Sequence, residues 1–384
     1  MLKEKIRVER ALERLASFQC RHYKKVIVVA LITTVVLGYG MTTLRFQGDF
    51  SKEMPQDLPP IALEDRVSST LGGGETLVVV VGLNEETGAK DIPRDIRDPK
   101  IIASVIELHK RLEAEPLIEG VQSVAPVFQR GVPDDLEGVK QVLASVPGSE
   151  NYFNRDFRIT VIYAFTSAGL DAEKLEEIEH MIQNDVEAIT KPAGVDYKIT
   201  GEAPLIVEVV RLLQRDMTFT SLVAALIIFG LLVVLERAFT RGFLVFLPLI
   251  FAIIWTYGTM GFLSIPISVS TVVIGAVILG LGVEYGIFMV SRYYEERKEQ
   301  NKDRSAALIT AVSTIGGATF GSATTTIAAF LALTLSIMPL IQNLGKTLAL
   351  GITLCWIASV AVNPCFILFE EEWREGGLET CELR

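Results

Sequence analysis

The sequence is short of the residues on which most soluble enzymes depend. It has 384 residues and only three histidines, His22, His109 and His180, scattered and outside any HExxH or triad setting. Surface positions are expected for them. Its four cysteines, Cys20, Cys355, Cys365 and Cys381, form no CxxC pair or Cys/His cluster. Nothing therefore points to a metal site, to another cofactor or to hydrolytic chemistry, and the chain reads as a non-enzyme. Between residues 45 and 215 cysteine is missing altogether, so disulfides cannot hold that region together. A basic surface is missing there too. The same region carries 30 acidic and 18 basic side chains, a net charge of −12, which excludes a nucleic-acid partner. The triplet Gly72-Gly73-Gly74 lacks the Lys and Ser/Thr of a phosphate loop and reads as a flexible strand entry.

What is abundant is apolar sequence. Half of the residues are hydrophobic and the mean hydropathy is +0.39, too high for an ordinary soluble protein. Six runs meet the roughly 20 residues that a bilayer core requires: 26–44, 217–235, 242–263, 267–291, 316–338 and 346–369. A multi-span α-helical membrane protein with six transmembrane helices is expected. A charged segment of about 25 residues precedes the first run and no small-residue cleavage pattern follows it, so that run reads as a retained anchor. Residues 1–25 read as a surface-lying amphipathic helix, with Ile6, Leu12, Leu15 and Phe18 on one face.

Lysine and arginine set the expected orientation. Arg21, Lys24 and Lys25 precede the first span, Arg237 and Arg241 follow the second, and Arg292, Arg297, Lys298, Lys302 and Arg304 follow the fourth. The opposite short loops offer chiefly Lys346. Both termini are thus expected in the cytoplasm of a cell-membrane protein, with residues 370–384 as a cytoplasmic tail. Residues 45–215 then form one extracytoplasmic domain between spans 1 and 2, and residues 216–369 hold spans 2 to 6.

That insert is long enough for its own core. ETLVVVVGL, VQSVAPV, FRITVIYAF and VDYKITG read as strands. Ile101, Val105, Leu108 and Leu112 make one helical stripe; Leu175, Ile178, Ile182, Val186 and Ile189 make another. Two βαβ modules, joined by a helix in PDDLEGVKQVLASV, predict an α+β layer with helices on one face of a sheet.

The fourth span contains the stretch GLGVEYGIF, with Glu284 and Tyr285 side by side. Glu284 lies eight residues before Arg292, roughly 12 Å along a helix, and so well inside the hydrocarbon. Intramembrane carboxylates are rare and face a bundle interior or an aqueous cavity. Such a group can load and release a proton, with the adjacent phenol donating to its ionised form; it can equally be a neutral acid joining two helices. At 100° per residue Gly275, Gly282 and Gly286 share one face, suited to close helix packing, and Gly280 shares the other with Glu284. In the fifth span Ser322, Thr325 and Thr326 are candidate relay hydroxyls, although such groups often bond their own backbone.

These residues carry a resemblance. LPLIFAIIWTYGTMGFLSIPI, GLGVEYGIFMVSRYYEER and SATTTIAAF resemble the third-, fourth- and fifth-span motifs of RND-superfamily transporters in the MMPL, hopanoid-exporter and Patched-like branch. Glu284 stands where that family usually has aspartate, and one half is present here where the family usually has two. The resemblance implies a porter-type external domain and a proton-gradient-driven exporter of a lipid or other hydrophobic molecule, acting as a homodimer. It leaves open a lipid- or sterol-sensing receptor or scaffold without transport, and an accessory protein-translocation component.

Overall fold

The computed structural model describes residues 2–49, 53–63, 76–84, 93–166 and 172–374. Gly72-Gly73-Gly74 lie outside the described residues. The chain divides into two compact units, Gln56–Arg211 and Met1–Pro55 with Leu212–Arg384. The second unit opens with helix α1 (Leu2–Gly40), which breaks once at His22, where φ is −133° and ψ is 23°.

The insert contains β1 (Thr76–Leu83), α2 (Pro99–Ala114), β2 (Ile118–Gln122), α3 (Leu136–Ser145), β3 (Ile159–Thr166), α4 (Ala172–Ala188) and β4 (Val195–Gly201). The sheet order is β2-β3-β1-β4 and every neighbouring pair is antiparallel. β1 and β2 are therefore parallel but held apart by β3, a split βαβ arrangement rather than two contiguous modules. Alternation fixes the register: Leu77, Val79 and Val81 face Ala164, Ile162 and Thr160, and all six are fully buried. The stripe Ile101, Val105, Leu108 and Leu112 of α2 packs into the same core as Leu175, Ile178 and Ile182 of α4. Asp98 caps α2 by accepting from the Lys100 amide, and Pro99 fits its first turn.

Two local expectations need correction. The strand placed over VQSVAPV ends at Gln122, and Ala125–Phe128 winds as a 3₁₀ turn because Pro126 has no N–H for a ladder. His109 is buried rather than at the surface, with Nδ1 3.0 Å from the Ser123 hydroxyl. His180 is exposed as expected.

The remaining helices are α5 (Glu202–Glu236), α6 (Phe239–Phe262), α7 (Ile274–Lys298), α8 (Arg304–Ala332), α9 (Pro339–Ile357) and α10 (Asn363–Arg374). A π turn, Ala358–Val362, joins the last two. Among the described residues six helical segments, counting α9 to α10 as one, are long and apolar enough to cross a bilayer. The apolar stretch of α6 is 67% buried and that of α5 only 6%, so α6 is central and α5 peripheral in the single chain. α7 starts at Ile274 rather than near 267. Pro266 and the turn in which Thr271 Oγ1 accepts from the Ser268 amide hold the chain outside a helix there, and Ile267 pairs with the backbone around Phe46. Lys346, expected in a loop, lies inside α9 with its side chain exposed.

α1 is not a surface-lying helix over its first half. Leu12, Ala16, Gln19 and Cys20 are buried, the apolar three against Ala307, Leu308, Ala311 and Val312 of α8. Phe18 points out, and the Ile6 side chain lies outside the described residues. Further along, α1 meets α6 through glycine. A Cβ on Gly258 would strike the Leu37 carbonyl oxygen, and one on Gly261 the Gly40 carbonyl oxygen. Trp255 Nε1 donates to Thr34 Oγ1 at 2.9 Å across the same seam.

Burial holds the His109 imidazole below its usual pKa of 6.5, against a smaller upward pull from the Glu113 carboxylate. The unfolded chain then binds a proton that the folded domain refuses, so stability rises with pH across this range. Thermal melts of an excised domain spanning 56–211 are expected to fall as pH drops from 7.5 to 5.5. His109→Gln removes most of that slope, and an unchanged slope in the variant would show that another group sets it.

Candidate functional site: an intramembrane carboxylate

α7 has two unlike faces. Gly275, Ile278, Leu279, Gly282, Tyr285, Gly286 and Met289 are buried, whereas Gly280, Leu281, Glu284 and Phe288 are exposed in the single chain. The buried face depends on missing side chains. A Cβ on Gly282 would run into Cys355 Sγ of α9, one on Gly286 into the Val245 carbonyl of α6, and one on Gly275 into Ser221 of α5. Gly275 also donates its amide to the Tyr257 hydroxyl at 3.1 Å. At Gly280 an added Cβ meets open space. The helix is therefore pressed into the bundle on one side and holds Glu284 on the other.

Glu284 stands ten residues from the start of α7 and fourteen from its end. Adjacent residues on a helix point about 100° apart, so Tyr285 turns inward and is 2% exposed while its neighbour turns outward. The two meet again at Ser322 of α8. Its hydroxyl donates to Glu284 Oε1 at 3.4 Å and also interacts with the Tyr285 phenol. Thr325 and Thr326 are not brought to the carboxylate; their hydroxyls donate to the Ser322 carbonyl at 2.8 and 3.1 Å. This arrangement allows a carboxyl group to accept from Ser322 when ionised and to carry a proton when neutral.

Sequence reasoning used the cationic residues near the far end of α7 only for orientation. The structure ties them into a network. Glu371 of α10 accepts from the Tyr293 hydroxyl and from Arg297 Nε at 2.7 Å, with Arg304 Nε at 3.8 Å. Glu296 is 2% exposed and pairs with Arg292 and with Lys302 Nζ at 2.7 Å. Glu370 accepts from the Tyr294 hydroxyl at 3.1 Å, and Lys24 of α1 reaches Glu372 at 3.0 Å. The run of three glutamates directly after the last hydrophobic stretch, opposite the Tyr-Tyr-Glu-Glu-Arg exit of α7, was the available signal.

Comparison with known proteins follows the same lines. A model of the MMPL family matches residues 112–375. The chain is 33% identical over 369 residues to a membrane protein of Methanocaldococcus jannaschii, covering 94% of both chains. It is 25% identical over 362 residues to the apo-petrobactin exporter of Bacillus anthracis, covering 88% of this chain and 44% of that protein. To the siderophore exporter MmpL5 of Mycobacterium tuberculosis it is 25% identical over 206 residues, covering 52% of this chain and 21% of that one. It thus spans less than half the length of the two exporters.

The asymmetry of α7 is open to a direct check. Gly282→Ala is expected to destabilise the purified protein by about 1–3 kcal/mol through overpacking against Cys355. Gly280→Ala fills open space and should leave the melt unchanged or raised by up to about 1 kcal/mol, since alanine favours helix. Equal melts for the two variants, read by intrinsic fluorescence in detergent, would contradict the packing described.

Proposed function

The chain belongs to the MMPL family, and on that premise we propose that it is a secondary transporter driven by a proton gradient, exporting a lipid or other hydrophobic molecule. The observation that carries this reading is Glu284, deep in a membrane helix, bonded to Ser322 and backed by buried Tyr285. A carboxyl group in that position cycles between charged and neutral forms at a cost the membrane makes large, which is what coupling to a proton gradient requires. The cationic residues around α7 and α8 support a reading in which that end of the bundle, with both termini, lies in the cytoplasm. One relative is named a siderophore exporter and another an apo-petrobactin exporter, which makes a siderophore the second substrate class to try.

The functional unit in this reading is a homodimer of twelve spans. Gly280, Leu281, Glu284 and Phe288 of α7, with Ser322 and Thr325 of α8, leave polar groups on the open side of one chain. Lipid cannot satisfy them, whereas a second copy related by two-fold symmetry covers both sets at once. Paired chains would bring two Glu284 carboxyls together, and their ionisations would then be coupled.

Glu284→Gln should insert and fold normally in vesicles yet reduce gradient-driven flux to background, because an amide keeps the size but carries no titratable proton. Tyr285→Phe should reduce it less. Full flux in the Gln variant would end the proton-carrier assignment. For the dimer, cysteines at Gly280 and Leu281 are expected to crosslink between copies and one at Gly282 is not. A fully active monomer lacking those crosslinks rules the pairing out.

A further inference from the structure

The turn between α9 and α10 gathers buried polar groups that the site above does not use. A π turn widens the helix and leaves carbonyls without their usual partners. Gln19 of α1 covers two of them, its Nε2 donating to Val360 O at 2.9 Å and Ala361 O at 3.0 Å. Around this contact several atoms have no hydrogen-bond partner among the described residues: Gln19 Oε1, Ser359 Oγ, and both Nδ2 and Oδ1 of Asn363. Gln19 and Asn363 are fully buried and Ser359 is 1% exposed. One turn earlier, Trp356 Nε1 is also unpaired. Residues 356, 359 and 363 fall at helical spacing, and continuing by seven reaches Glu370, whose Oε1 lacks a hydrogen bond.

The two ends of this stripe are fixed. Gly282 touches Cys355, which sets Trp356 at the level of Glu284, and the Trp356 ring packs on Phe320, two residues before Ser322. Tyr285 lies close to Cys355 as well. At the other end Glu370 accepts from Tyr294, in the charged network at the exit of α7. The stripe therefore runs about 21 Å along α9 and α10, from the carboxylate level to that end of the bundle.

Buried amides and hydroxyls are hydrogen-bonded in folded proteins, and internal water is the usual partner when protein atoms do not serve. Asn363 and Ser359 each offer a donor and an acceptor, Gln19 an acceptor and Trp356 a donor. We propose that these four residues position a file of internal water that conducts protons between Glu284 and Glu370. This rests on the proton-coupled reading of Glu284. A proton leaving Glu284 passes through the Ser322 and Tyr285 hydroxyls to the first water, each member hands on a different proton, and the last delivers one to the Glu370 carboxylate. One proton enters and one leaves, and only O–H bonds form and break. Trp356, Asn363 and Gln19 position the water without relaying it.

The test uses the full chain in lipid vesicles, with radiolytic hydroxyl labelling read by mass spectrometry beside gradient-driven proton flux. Cys365, whose Sγ lies 3.8 Å from the Ala361 carbonyl, and Trp356 report on the stripe. Cys355, as fully buried as Cys365 but packed among Leu249, Ile278 and Ile352, is the dry control, whereas Trp356 is only partly buried. Cys365 is expected to label well above Cys355, and Trp356 serves for comparison between wild type and variants. Asn363→Leu should lower that labelling and slow flux at least ~10-fold, Asn363→Ser should restore both, and melts should confirm that each variant is folded. Labelling no higher than at Cys355 overturns the proposal. So does labelling lost in Asn363→Leu with flux unchanged, which leaves proton coupling at Glu284 standing. Wild-type flux that ignores Glu284→Gln overturns both.

Discussion

A carboxyl group inside hydrocarbon must find a hydrogen bond or a cover, and the arrangement around α7 follows from that constraint. Glu284 sits on the helix face that the single chain leaves open, with one long bond to Ser322. The opposite face can be pushed into the bundle because Gly275, Gly282 and Gly286 carry no side chain. α9 and α6 come close enough there to fix the rotation of α7 about its axis. Rotation of α7 in turn decides that Tyr285 is buried and its neighbour is not.

The polar groups of the membrane unit segregate by depth. At mid-span they are mostly hydroxyls and single ring groups around one carboxyl, among them Glu284, Ser322, Tyr285 and Trp356. At one end they become a dense ionic network in which Glu296, Glu370 and Glu371 each meet an arginine, lysine or tyrosine from another segment. Buried charges tolerate such a place only when paired. The pairing joins the loop after α7 to α8 and α10, so the ends of three helices are tied where water begins.

Much of this was legible in the residues. Period-two alternation in TLVVVVGL and ITVIYAFT marked β1 and β3, and period-3.6 stripes marked α2 and α4. The charge in an otherwise apolar run marked Glu284. What could not be read is what depends on partners far away in sequence. Gln19 looks like a surface residue until its amide meets carbonyls 341 and 342 positions later. His109 is buried because Ser123, fourteen residues on, returns to meet it. The order β2-β3-β1-β4 needs pairing information that no local pattern holds, and the π turn has no sequence signature of its own.

The seam between α1 and α6 has a mechanical consequence. Backbone meets backbone at Gly258 and Gly261, and Trp255 is bonded across to Thr34, so these helices can neither slide nor roll past one another without collision. They act as one rigid beam. α5, exposed along most of its apolar length, is held less extensively, chiefly near Ser221 and Val233. Any working motion of the bundle must therefore be partitioned unequally, with the beam as the fixed frame and α5 as the member free to tilt.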